Sequence, residues 1–165
     1  DSTGEVANLG MEENGQRVIL YRSSGGKAAG DEIPIGNHTE MHWTSLGKVI
    51  LAHLPVEKRN EIVADHGLPK GTDNTLSSRS ALEAALERIR DQGYAIDDEE
   101  HLRGVRGVAV PIFNDEQEVM VSLGITGPRD RFTSRYMANL LEILRYTKNE
   151  IEVRSQYYEY STIDG

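Results

Sequence analysis

A few clusters in this 165-residue chain have the residue types and spacing that chemistry requires. The first is Thr44-Ser45-Leu46, ahead of an apolar helical pattern. A hydroxyl there caps a helix, and the N–H groups of Ser45 and Leu46 then lie at the positive end of the helix dipole without intrahelical acceptors. That arrangement suits a carboxylate or a phosphate, and serves equally as a plain N-cap facing solvent. The second is Asp97-Asp98-Glu99-Glu100. Paired carboxylates can divide general acid and base work, but a block of acids after a strand is also an ordinary solvated segment or the cap of a helical turn. Asp97 stands apart because it lies nearest the end of the extended run Tyr94–Ile96. The third is His38 and His42, four apart with Glu40 between them, and Glu100-His101 elsewhere. This spacing lacks the His-Glu-x-x-His order of a zinc hydrolase, so no metal is expected. Ser45, Ser77, Ser78 and Ser122 lack a Gly-x-Ser-x-Gly setting. Gly104-Val105-Arg106-Gly107 follows a loop and enters a strand, the reverse of a phosphate-binding glycine loop, so no nucleotide cofactor is expected.

The surrounding elements follow from periodicity and turn chemistry. Val105–Phe113 is β-branched and nearly continuous in its apolar residues, which marks a buried strand. Val119–Thr126 is its antiparallel partner across the polar connection 114–118, and Gly127-Pro128 breaks it. An earlier hairpin runs from Glu5–Met11 through Asn14-Gly15 to Arg17–Arg22. Ser23–Gly30 is a polar loop where mobility is expected, and Asp31–Gly36 is a short edge strand, with Pro34 suited to an edge. Met41–Pro55 is expected as a helix capped by Thr44 or Ser45, with Leu46, Val49, Ile50 and Leu54 on its apolar stripe. Glu57–His66 is a second helix. A third opens at the capping box Ser80-Ala81-Leu82-Glu83 and ends at Gly93. Thr133 caps a long last helix, and residues 156–165 show no clear period, as in a frayed tail. A hairpin, helices, a second hairpin and a helix predict an α+β domain with an antiparallel sheet.

Composition narrows the function. Eighteen Lys and Arg stand against 27 Asp and Glu, a formal charge of −9 that repels phosphate backbones, so the chain is not expected to bind nucleic acid by itself. The same excess suits high salt as well as ordinary solubility. There is no cysteine, which removes disulfides, thiolate metal sites and thiol catalysis. No apolar run reaches the ~18 residues of a membrane span, and the first residues lack the pattern of a signal peptide, so a soluble cytoplasmic protein is expected. The length fits one domain, residues 1–165 with a packed core over about residues 4–155.

The order of motifs resembles a known family. Met41-His42 with Gly47-Lys48 and Leu51-Ala52, then Ile89-Arg90 with Gly93-Tyr94, then Asp98-Glu99-Glu100 with Gly104-Val105, then Val108-Ala109-Val110-Pro111, and last Ile125, Gly127-Pro128 and Arg131 together resemble the C-terminal effector-binding domain of IclR-type transcriptional regulators. The match runs from about Gly4 to about Ser155. The resemblance implies a GAF-like fold with a curved antiparallel sheet, a small-molecule pocket and assembly into dimers or tetramers. It also implies DNA binding only through an N-terminal winged-helix domain that is absent from this sequence. Carried over position by position, Ser45 and Leu46 would hold the carboxylate of a small organic acid on their N–H groups. Asp97 would accept from a hydroxyl or constrain a keto group. Val105 and Gly107 would enter from the first central strand, Gly124 and Thr126 from the second. Glycine at 107 and 124 implies a wider, less polar pocket, and Trp43 is a candidate wall for an aromatic effector or a core aromatic.

The expected function is therefore effector sensing without catalysis, as part of a regulator whose DNA binding the effector modulates. The alternatives are a small enzyme using Asp97 and Glu100 as an acid and base pair, and a purely structural dimerisation module.

Overall fold

The computed structural model describes residues 3–23, 25–27 and 33–163. Their elements run β1 (Val6–Glu13), β2 (Gln16–Ser23), β3 (His38–Glu40), α1 (Ser45–His53), α2 (Val56–His66), α3 (Arg79–Gln92), β4 (Ala95–Asp98), β5 (Val105–Phe113), β6 (Val119–Pro128) and α4 (Ser134–Ile163). The strands form one antiparallel sheet in the order β3-β2-β1-β6-β5-β4, curled as a half barrel with helices on both faces. This is the α+β architecture expected from the sequence.

Residue size explains how the two faces differ. On the inner face β4, β5, β6 and β1 present Ala95, Ala109, Gly107, Gly124, Ser122 and Gly10, so that α1 lies close against the strands. On the outer face Val108, Val110, Ile112, Leu123 and Ile125 meet Phe132 and the Met137, Leu140, Leu141 and Leu144 stripe of α4. Small residues under a helix permit deep approach, whereas branched residues under a helix fill volume. Nearly all of α1 is buried, which places its first turn inside the molecule rather than at its surface.

Several local expectations hold. Asn14 and Gly15 take positive φ (51° and 78°), as a two-residue hairpin turn needs. Gly93 closes α3 in the left-handed region at φ 81°. The β5–β6 hairpin has the expected pairing.

Others are corrected. Residues 41–44 are a turn rather than helix, and α1 starts at Ser45 because Thr44 Oγ1 accepts from Gly47 N–H at 3.0 Å. The cap of α3 is Ser78, which accepts from Ala81 N–H at 3.2 Å, so that helix starts before the Ser80 box. The strand β6 runs on through Gly127 to Pro128; Gly127 is there because a Cβ would stand 2.1 Å from Phe132 Cε2. Pro34, Ile35 and Gly36 are not strand, and the edge of the sheet is β3 instead. The expected edge segment Asp31-Glu32 and the loop positions 24 and 28–30 lie outside the described residues. The tail is helical to Ile163, because α4 carries on past the stripe that packs.

Candidate functional site

Strand register brings the candidate residues together. Directly paired residues on neighbouring strands face the same side, so Asp97, Gly107, Thr126 and Val6 form one row across β4, β5, β6 and β1 on the inner face. The next row is Ala95, Ala109, Gly124, Asn8 and Arg22. The first turn of α1 lies on both. A Cβ at Gly107 would stand 3.2 Å from Ser45 Oγ and 2.7 Å from Thr126 Cγ2, and one at Gly124 would stand 2.9 Å from Leu46 Cδ2. Two glycines expected to widen a pocket therefore admit α1 instead, and the space above them is filled. The open space lies further along the same face, where a cavity of about 390 Å3 is lined by Val6, Asn8, Arg22, Val105, Thr126 and Arg131 among others. Val105 and Thr126 border that cavity directly, whereas Ser45 and Leu46 on α1 and Asp97, Gly107 and Gly124 on the strands do not line it.

The start of α1 has polar groups with nothing to bind. Gly47 N–H and Lys48 N–H are taken by the Thr44 side chain and carbonyl, while no hydrogen bond among the described residues uses Ser45 N–H or Leu46 N–H. Ser45 is fully buried and its Oγ has no partner, and Asn8 Oδ1, also on the inner face, has none. Buried polar atoms are almost always satisfied, so such a cluster marks a place where a ligand or water completes the bonding.

The acid block divides in two, against the expectation of a solvated run. Asp97 and Glu100 are buried, 2% and 8% exposed. Asp97 Oδ1 accepts from Glu100 N–H at 2.8 Å, yet burial outweighs this and pushes its carboxyl up to about 7. Glu100 has a different office. Its two oxygens accept from Lys48 Nζ at 2.7 and 2.9 Å, and Oε2 also accepts from Asp98 N–H at 2.9 Å. This ion pair ties α1 to the end of β4, so Glu100 is not free to serve Asp97 as an acid–base partner. A signal for it was in the sequence: Lys48 sits within a helix whose neighbours are buried, and a buried ammonium needs an acid.

Trp43 is half-buried and tied down. Its Nε1–H donates to the Pro69 carbonyl at 2.8 Å, and its ring stacks on His101 at 5.4 Å with the planes 26° apart. The histidines do not converge: His38 meets Glu13 at 3.2 Å, and His42 Nε2 meets the Pro69 carbonyl at 2.9 Å. A larger cleft, about 680 Å3, opens between α3 and β4 over the Lys48–Glu100 pair and holds none of the expected effector residues.

A curled antiparallel sheet with a buried helix start and unsatisfied polar groups beside a cavity is the arrangement of a small-molecule-binding domain. The chain belongs to the family described as bacterial transcriptional regulator IclR C-terminal, whose model matches residues 1–153. It is 36% identical over 143 residues to the HTH-type transcriptional regulator XynR of Escherichia coli strain K12, covering 87% of this chain and 57% of that protein. Among solved structures it is similar to Thermotoga maritima IclR, with TM-score 0.87, 28% identity and coverage of 93% of this chain and 62% of that one. It is also similar to a double mutant of the PobR transcription factor inducer-binding domain from Acinetobacter, in complex with 3-hydroxybenzoic acid. There the TM-score is 0.83 and the identity 26%, covering 92% of this chain and 89% of that one. The chain is thus an IclR-type effector-binding domain, and its relatives are transcriptional regulators, not enzymes. It spans just over half the length of XynR.

Proposed function

We propose that this domain senses a small organic acid and, by self-association as a dimer or tetramer, passes that signal to the DNA-binding part of a cytoplasmic regulator. The observation that carries the reading is the first turn of α1: two N–H groups without acceptors and the orphaned Ser45 Oγ, set beneath the molecular surface against the row of Asp97, Gly107 and Thr126. The acid's carboxylate lies on the Ser45 and Leu46 N–H groups, and Asp97 holds a hydroxyl or faces a keto oxygen. Thr126 and Val105 border the cavity, Gly107 and Gly124 give the close approach, and Trp43, stacked on His101, sits just before the helix start. Relatives support the ligand class, since one domain of this fold is described with an aromatic hydroxy acid bound. An effector alters DNA binding only through its difference in affinity between two states of the assembly, so the ligand must favour one of those states over the other. A thermal-shift screen of small carboxylic acids tests the reading: at least one acid should raise Tm in the wild type. A screen in which none does, from keto acids to aromatic hydroxy acids, contradicts it.

A further inference from the structure

The most demanding unsatisfied group on the inner face is one that the motifs did not single out. Arg17, on β2, is 1% exposed, and its Nε and Nη1 have no hydrogen-bond partner; only Nη2 is used, donating to Thr39 Oγ1 at 2.8 Å. No ion pair among the described residues includes it, although this chain has a large excess of acids to offer. A buried guanidinium without a carboxylate is a costly arrangement, because the desolvation of the charge is not offset. Burial draws its pKa down to about 10.

Its surroundings set it beside the first turn of α1. The arginine stem lies against the first turn of α1: Arg17 Cδ and Leu46 Cβ would both stand 3.5 Å from a Cβ at Gly10. Thr39 belongs to β3, the strand that leads into the turn before α1. The imidazole of His101, stacked on Trp43, is held below its ordinary pKa by burial and then by the Arg17 charge. The cation is therefore enclosed by β2, β3, the start of α1 and the segment after β4. The start of α1 is what this enclosure shares with the free N–H groups.

We propose that the Arg17 guanidinium binds an anionic group of the effector, a carboxylate, so that a full positive charge as well as helix N–H groups receives it. The inference rests on the acid-sensing reading and adds its electrostatic anchor. The three N–H donors on Nε and Nη1 offer charge-assisted bonds that a neutral analogue cannot match. An amide isostere of the acid is thus discriminated against at this position.

The test compares wild type, Arg17→Met and Arg17→Lys by thermal shift and calorimetry in low-salt buffer. The probes are pyruvate, gluconate and 3-hydroxybenzoate, each paired with its amide, and inorganic phosphate. The expected result has three parts. Arg17→Met is at least as stable as wild type without ligand, since an apolar side chain replaces an unpaired cation. A carboxylate that stabilises the wild type loses about tenfold or more in affinity in Arg17→Met, and its amide is weak on both. Arg17→Lys recovers part of the loss. If Arg17→Met is much less stable with no ligand present, the guanidinium is a structural group and the inference fails. Equal carboxylate affinity in wild type and Arg17→Met overturns the inference while leaving the acid-sensing reading intact. Stabilisation by phosphate alone assigns Arg17 to an inorganic anion and overturns it as an effector contact. No response to any probe in the wild type sinks the reading and the inference together.

Discussion

At the scale of single residues, Asp97 has the clearest consequence. Its folded-state pKa, about 7, lies above the ordinary value of 3.8. The folded state thus favours the protonated acid, and the resulting stability is full below about pH 4 and is lost as pH rises toward 7. Asp97→Asn should therefore stabilise the empty domain at pH 8 by roughly 1 kcal/mol or more, with the gain fading toward pH 4, as read by urea unfolding at several pH values. A constant difference across that range would mean that the carboxyl is ionised throughout. Ser45 tests the anion site with less disturbance to the fold. Thr44 already has the extended backbone that precedes a proline, and proline is favoured at the first helical position, so Ser45→Pro removes the N–H and the hydroxyl of that residue while keeping the helix. Acid affinity should fall by about 1 to 3 kcal/mol in calorimetry, with Tm without ligand changed little. Leu46→Asp is a poorer probe, because Leu46 is 3% exposed in the core and a charge there tests folding as much as binding.

At the scale of elements, α1 and what fixes it decide whether the site exists. Gly47 has no room for a side chain, since a Cβ would stand 2.2 Å from the Met41 carbonyl oxygen. Gly47→Ala should displace the turn before α1 and destabilise the domain by about 1 to 3 kcal/mol in urea unfolding. The Lys48–Glu100 pair holds the same helix to β4. Lys48→Met strands a buried carboxylate and should cost about 3 to 5 kcal/mol at neutral pH, much of which Lys48→Met with Glu100→Gln should restore. The sequence disclosed the strands β5 and β6, the hairpin turn and the helix stop at Gly93, because those depend on local pattern and backbone chemistry. It also placed Asp97, Gly107 and Thr126 as candidates through the family resemblance, and strand register explains why they share one row. It did not disclose that Gly107 and Gly124 are filled by α1, that Glu100 belongs to Lys48, or that Arg17 is buried without a partner. Each of those depends on which distant elements the curl of the sheet brings together; the helical pattern implies that Lys48 needs an acid but not which one.

At the scale of the whole molecule, charge and assembly matter. With a net charge of −9 the domain as proposed binds its anion against its own background field, yet the local donors act within a turn of helix while distant carboxylates lie mostly beyond the ~8 Å Debye length at physiological salt. Acid affinity should accordingly stay level or rise slightly as salt is increased, measured by calorimetry across a salt series. A steep loss would place the anion at an exposed surface. Exposed Ile143, Tyr146 and Val153 share one side of α4, apolar surface consistent with the proposed self-association. Sedimentation at micromolar concentration should give a mass above the 18.4 kDa of one chain, and a monomer alone would contradict that part.

The central claim is that the first turn of α1 receives the effector's carboxylate, and the backbone amides of that turn report on it directly. The 15N-labelled domain should be titrated with whichever acid raises Tm most, following the amide resonances of Ser45 and Leu46. The account predicts that these two shift among the largest in the spectrum, in the downfield direction of a new hydrogen bond, and saturate with the calorimetric affinity. If they stay fixed while resonances lining the cleft between α3 and β4 move, the acid binds elsewhere and the site described here is not the effector site.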